Sequence, residues 1–139
     1  MKYDYYRHLS ISKDFSVFDF DSVGKNGTIR KRIVFIKTES EGVYNLELSD
    51  VLENGYSDFD IVTNNGDVSM VLATIADAVD LYTGTYPERW IFFTGNTESR
   101  TRLCRKAIGL NIFELSNKYA IYGQLEDSIL WARINPYNR

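Results

Sequence analysis

Two hydrophobic periods run along this chain, and the switch between them divides it. From Phe15 to Val23 and from Thr28 to Lys37, aromatic and β-branched residues dominate and flank Gly24-Lys25-Asn26-Gly27. Such runs are strand patterning, and an Asn-Gly pair supplies the positive φ angles of a tight turn, so the two segments predict a β-hairpin. Val43 to Leu48 predicts a third strand, reached through Glu39-Ser40-Glu41-Gly42. Asp50 to Asp58 is polar and reads as a loop, and Phe59 to Thr63 reads as a brief strand. After Asn64-Asn65-Gly66-Asp67 the period becomes helical. Val68, Val71, Leu72, Ile75, Val79 and Tyr82 fall on one stripe at i, i+3, i+4, i+7 spacing. Asp77 and Asp80 lie off that stripe and read as solvated charges. Asp67, or Asn65 before it, is the expected N-cap, with Gly84 and Pro87 ending the helix.

Trp90 to Phe93 is continuously apolar, the pattern of a central strand covered on both faces. Glu98 to Gly109 predicts a second helix, and Tyr119 to Leu125 with Ile129 to Ile134 predict two closing strands. The order β-β-β-(β)-α-β-α-β-β implies a single α+β domain over residues 1–139, with a mixed, mostly antiparallel sheet and two helices packed on it.

Candidate chemistry concentrates where the apolar run Trp90 to Phe93 stops at Gly95-Asn96-Thr97 and opens into the arginine-rich second helix. A helix start leaves backbone N–H groups unpaired, and guanidinium groups lie within reach of them, which is the simplest construction of an anion site. At about 100° per residue, Arg102, Arg105 and Lys106 project away from the apolar face set by Leu103, Cys104, Ala107, Ile108 and Leu110. Arg100 falls in the middle of that face, where a cation requires a partner or a crevice. If Phe59 to Thr63 and Trp90 to Phe93 are parallel strands, Asn64, Asn65, Gly66 and Asp67 face Gly95, Asn96, Thr97, Ser99 and Arg100 across the carboxyl edge of the sheet. The same residues also read as ordinary turn and capping chemistry, with Arg100 paired to Asp67 or Glu98.

Composition narrows the partners. The formal charge is −3 over 139 residues, which argues against a whole-surface nucleic-acid binder and leaves a local basic patch open. Arg30, Lys31 and Arg32 with Lys25 and Lys37 form such a basic edge, read as solvated or as edge-strand protection, with contact to an acidic partner or nucleic acid as the alternative. The single Cys104 excludes an internal disulfide and, on the helix's apolar face, reads as packing. One His and one Cys make a zinc site of the usual ligands untenable within one chain, so no metal is assigned. No segment has signal-peptide character or approaches the roughly 20 apolar residues of a membrane span, so the cytoplasm is the expected compartment and no membrane partner is expected. No Walker-type or G-x-G-x-x-G loop is present, and no cofactor is assigned. Asp19 and Asp21 alternate with aromatics on one strand face, a hint of a metal-dependent nuclease with a ribonuclease-H-like strand order that lacks its third carboxylate. His8 has no evident orienting carboxylate, so a triad is not supported.

Phe18-x-Phe20-x-Ser22-x-Gly24-x-x-Gly27-x-Ile29, Tyr44-Asn45-Leu46, Asn64-Asn65-Gly66-Asp67 with Val71-Leu72-Ala73-Thr74, and Gly95-Asn96-Thr97-x-Ser99-Arg100-Thr101-Arg102-Leu103 together resemble a family of small bacterial proteins of unknown function. The resemblance covers about Phe18 to Tyr122 and implies a bacterial cytosolic origin and one α/β unit. It carries no activity, so whether the chain is an enzyme stays open. Cys104 stands where that pattern has an aromatic residue. The leading expectation is a binding protein for a small phosphate- or carboxylate-bearing ligand such as a nucleotide. The alternatives are a protein-interaction component of a toxin–antitoxin or regulatory pair, with an exposed aromatic patch around Tyr3, Tyr5 and Tyr6 and a protein partner or homo-oligomer, and the nuclease.

Overall fold

The alternating first half of the chain folds into an antiparallel meander to which the remaining strands are added. The computed structural model describes residues 4–55, 57–58, 65–94, 119–124 and 129–134. Its elements are β1 (Ser10–Ile11), β2 (Val17–Gly24), β3 (Gly27–Lys37), β4 (Val43–Val51), β5 (Ser57–Asp58), α1 (Val68–Thr85), β6 (Trp90–Thr94), β7 (Tyr119–Gln124) and β8 (Ile129–Ile134). They form one sheet in the order β1-β2-β3-β4-β6-β8-β7, with β5 paired to β4 beside that path. Every described pairing is antiparallel except β4 with β6. A parallel pair needs a crossover, and α1 lies in the connection between its two strands. The result is an α+β domain with a mixed, mostly antiparallel sheet. One of the two predicted helices, residues 98–109, lies outside the described residues, as does the brief strand predicted over 59–63. Among the described residues no helix is long and apolar enough to cross a membrane.

The core forms where the meander's apolar face meets α1. Phe18, Phe20, Ile33, Phe35 and Leu46 from the sheet pack with Ile75, Ala78 and Tyr82 of the helix and with Ile91 of β6. Phe35 and Tyr82 stack face to face at 3.9 Å between ring centroids with 2° between planes. Burying a large side chain of this kind contributes about 1.5–3 kcal/mol, so this stack anchors the helix to the sheet, while the Phe18–Phe35 edge contact ties β2 to β3 beneath it. The buried stripe of α1 is rotated from the predicted one: Thr74, Ala78 and Tyr82 are its most buried line, and Val71, Leu72 and Val79 flank it. Thr74 and Thr83 fit this face because their hydroxyls donate back to the carbonyl oxygens of Met70 and Val79 at 2.7 Å.

Several boundaries differ from expectation for local reasons. β2 begins at Val17 because Phe15 turns the chain with φ +59° inside a knot of hydroxyl bonds from Ser12 and Ser16 to Asp14. The Ser16 and Ser12 hydroxyls, with the Ser16 N–H, hold the Asp14 carboxyl down at about 2. In the hairpin turn the positive φ falls on Gly27, at +83°, and not on Asn26, as in a turn closed by a left-handed glycine. β4 continues to Val51, through part of the predicted loop, before Gly55 (φ +84°) closes the turn back to β5. Gly84 sits inside the last turn of α1 without a positive φ, so it is not a left-handed cap, and the helix stops at Tyr86 before Pro87.

The predicted solvated basic edge is corrected in part: Lys25, Arg30 and Lys37 are exposed, whereas Arg32 is half-buried and Lys31 buried. Arg32 grips Asp19 with two bonds, Nε and Nη2 to the two carboxylate oxygens at 2.7 and 2.9 Å, and Arg30 Nε reaches Asp21 at 2.5 Å. These pairs lie directly across β2 and β3 on the face away from α1. Lys31 points the other way and is 1% exposed, with its Nζ 2.7 Å from Asp50, its register partner in β4. Removing either partner would strand a buried charge.

Gly24 fixes the approach of the hairpin to the loop before α1. An added Cβ there would meet the Asn65 carbonyl oxygen at 1.9 Å, a backbone atom that cannot swing aside, whereas one added at Gly27 would meet nothing within 4 Å. Gly24→Ala should therefore lose about 3 kcal/mol in urea unfolding by overpacking. Gly27→Ala should lose about 1–2 kcal/mol, the cost of a left-handed alanine.

Candidate functional site

The segment Asn65-Gly66-Asp67, predicted as half of an anion crevice, is built into the hairpin. Asn65 is 1% exposed. Its amide nitrogen donates to the Gly27 carbonyl at 2.9 Å and to the Ser22 hydroxyl at 3.1 Å, and its amide oxygen accepts the Asn26 N–H at 2.6 Å. Its own carbonyl accepts the Lys25 N–H at 3.1 Å. One asparagine thereby satisfies the turn's backbone from inside, where water does not reach. Gly66 takes φ +80°, the left-handed step that carries the chain from this clamp into α1, and the Lys25 side chain lies over it.

Asp67 starts the helix through its backbone, its carbonyl accepting the Val71 N–H at 3.1 Å, but it makes no side-chain cap. Its carboxylate instead accepts the hydroxyls of Tyr6 and Ser22, each at 2.5 Å on one oxygen. Bonds of this charge-assisted kind are short and strong. Tyr6 also accepts the Val23 N–H at 3.1 Å and stacks on Phe20, so Asp67 ties the N-terminal segment, the hairpin and the helix start together. Burial, and the Asp67 carboxylate that accepts its proton, push the Tyr6 phenol above its ordinary value.

Of the predicted crevice, the described residues include Asn65, Gly66 and Asp67 and the end of β6. Leu46 pairs with Phe93, which sets Thr94 level with Glu47, whereas the hairpin tip extends well past the level of Lys31 and Asp50. The end of β6 and the Asn65 clamp are thus about seven residue rises apart along the strands, roughly 23 Å. β6 takes its parallel partner from β4, not from a strand over 59–63. Asn64 and the other half of the proposed site, Gly95, Asn96, Thr97, Ser99 and Arg100, lie outside the described residues, as do Arg102, Cys104, Arg105 and Lys106.

Elsewhere the structure revises single residues. His8 does have a carboxylate: its Nε2 lies 2.8 Å from Asp77 Oδ2, and its ring packs edge-on against Phe18. Asp77 is therefore no bystander, and Asp80 is half-buried as well. The pair joins the N-terminal segment to α1, alongside the Tyr6 N–H donating to Thr74 at 2.8 Å. No nucleophile adjoins it among the described residues. Asp19 and Asp21 share a strand face as predicted, but each is closed by an arginine, and no group of three or more potential metal ligands occurs among the described residues.

Two features escaped the sequence reading. One is Arg89, whose only signal is the spacing of Tyr82, Tyr86 and Arg89 at the end of α1. The other is a polar row along β4 on the face away from α1. There Ser49 is wholly buried, and its Oγ and the Asn45 Oδ1 make no hydrogen bond to any described residue. Between them Glu47 receives the Asn45 amide at 3.0 Å, and burial pushes its carboxyl above the usual range.

A raised carboxyl favours folding while it is protonated. The contribution is complete below the unfolded value near 4.5 and is lost as pH rises through the higher folded value. Glu47→Gln should therefore melt roughly 2–3 °C above the wild type at pH 7, and the difference should vanish below pH 4, read as Tm against pH.

Of the motif residues that resemble a known family, Phe18 and Phe20 lie in the core and Ser22, Gly24 and Gly27 lie around Asn65. No curated protein and no solved structure matches the chain. A family model does, over residues 2–138, and the chain belongs to that family, a family of unknown function designated DUF6934.

Proposed function

We propose that the protein binds a small phosphate- or carboxylate-bearing ligand at the segment that follows β6. The observation supporting this is the parallel β4–β6 pair with α1 in its connection. Ligands of open α/β sheets bind beyond the carboxyl ends of parallel strands, and Gly95, Asn96, Thr97, Ser99 and Arg100 follow β6 at that end. In this reading Arg100 supplies the charge, and the backbone N–H groups and hydroxyls of Gly95 to Ser99 supply the remaining bonds. Asn65 and Asp67 act as scaffold, because their polar groups are taken by the hairpin and by Tyr6.

The test is a thermal-shift series with inorganic phosphate, acetate and adenosine monophosphate at constant ionic strength. The wild type should be stabilised by at least one of them. Arg100→Ala should keep its unliganded Tm within about a degree and lose that stabilisation. A large loss of Tm without any ligand response in the wild type would make Arg100 structural and overturn the proposal.

A second reading, a protein-interaction role, has one observation in its favour. Tyr5 and Leu9 in the N-terminal segment, Ile11 in β1 and Val23 in β2 are exposed, although Tyr6 is held inside by Asp67 and Phe20 and Tyr3 lies outside the described residues. Sedimentation of the full chain should then show self-association that Leu9→Ser with Ile11→Ser abolishes. A monomer at every concentration, with no partner retained on co-purification, would remove this reading.

A further inference from the structure

Arg30, Lys31 and Arg32 each close on a carboxylate. Arg89, just before β6, closes on none among the described residues. Its guanidinium carbon lies 3.7 Å from the centre of the Tyr86 ring and 4.1 Å from that of Tyr44, with the Tyr82 ring 5.7 Å away. Nη1 donates to the Tyr82 hydroxyl at 2.7 Å. Tyr82 is buried to 1% exposure and fixed by its stack on Phe35, and Tyr86 donates its own hydroxyl to the Asp14 carbonyl at 2.9 Å. Tyr82 and Tyr86 are thus each held by a contact other than the one with Arg89.

Stacking on an aromatic face satisfies the face of a guanidinium and leaves its N–H edge unused. Tyr82 takes one donor of that edge, and the others meet no acceptor among the described residues. Arg89 as a residue is neither buried nor fully exposed. Its nearest carboxylate in sequence, Glu88, is exposed and makes no bond to it. A planar fork with its charge uncancelled and its orientation fixed is built for two parallel bonds to an oxyanion. Tyrosine quadrupoles hold the cation without neutralising it, as a carboxylate would.

We propose that Arg89 is an oxyanion receptor: seated on Tyr44 and Tyr86 and tied to the Tyr82 hydroxyl, it takes a carboxylate or phosphate on its remaining N–H edge. This site lies at the start of β6 and is independent of the one proposed at Gly95 to Arg100.

The test follows the Arg89 Nε–H resonance of the full-length ¹⁵N-labelled chain while inorganic phosphate, acetate or chloride is added at fixed ionic strength. A saturable shift with phosphate alone assigns a phosphate ligand, and one with acetate alone assigns a carboxylate. Both responding assigns a general oxyanion site. Arg89→Lys, which keeps the charge and removes the fork, should weaken saturation of the neighbouring Tyr86 and Trp90 amide shifts at least tenfold. Tyr86→Leu, which removes the ring beneath the guanidinium, should weaken it similarly. Arg100→Ala should leave the Arg89 response unchanged, so the two sites fail or succeed separately. A linear drift equal to that in chloride would overturn the proposal and leave Arg89 as a brace between α1 and β4. The wild-type titration decides this even if a variant does not fold.

Discussion

The structure turns on how closely the β2–β3 hairpin approaches the loop that enters α1. A strand end and a helix start cannot normally share such a place, because both carry backbone groups in need of partners. Here Gly24 removes the Cβ that would strike the Asn65 carbonyl, and the Asn65 amide answers the turn's N–H and C=O groups. Asp67, two residues on, holds Ser22 and Tyr6 at the same point. The position of α1 over the sheet, and with it the Phe35–Tyr82 stack, follows from that junction. Distributing one buried amide over several backbone groups also makes the junction cooperative, since no single bond can be lost without leaving an unsatisfied partner.

The two faces of the meander handle charge in opposite ways. Away from α1, Asp19–Arg32 and Asp21–Arg30 are cross-strand pairs, partly open to solvent, that fix the β2–β3 register as much as they stabilise it. Toward α1, Lys31 and Asp50 form a buried pair beside Phe20, whose cost is offset only by their mutual contact and further bonds. A one-residue slip of β3 would move Lys31 to the outer face and bring Arg30 or Arg32 into the core. The buried pair therefore penalises the wrong register more than it rewards the right one.

Strands and the helix were legible wherever hydrophobic period decides the outcome: the hairpin, β4, α1 and β6 all lie near their expected places. What escaped was side-chain commitment. Asn65 and Asp67 look the same in sequence whether they cap a helix, bind an anion or clamp a turn, because all three use identical donors and acceptors. Only the long-range partner distinguishes them, and Ser22 and Gly27 are about forty residues away. Lys31 between two arginines has the look of a surface edge for the same reason: alternation sets it on the core face, but nothing in the sequence pattern marks Asp50 as its partner. His8 lacked a carboxylate in sequence only because Asp77 lies on a different element.

The distribution of polar groups over the domain then bears on where a ligand belongs. At the N-terminal end of α1, the Asn65 amide and one carboxylate oxygen of Asp67 are taken up by bonds within the fold. At the other end, Arg89 follows a helix C-terminus, where the partial negative charge of the helix favours a cation. That dipole and the tyrosine rings hold Arg89 with partial charges, each weaker than a carboxylate. A cation held in this way retains most of its field for a further partner. Structural bracing and the proposed anion recognition thus make compatible demands on Arg89: the first uses its faces and one N–H donor, the second the rest of its edge.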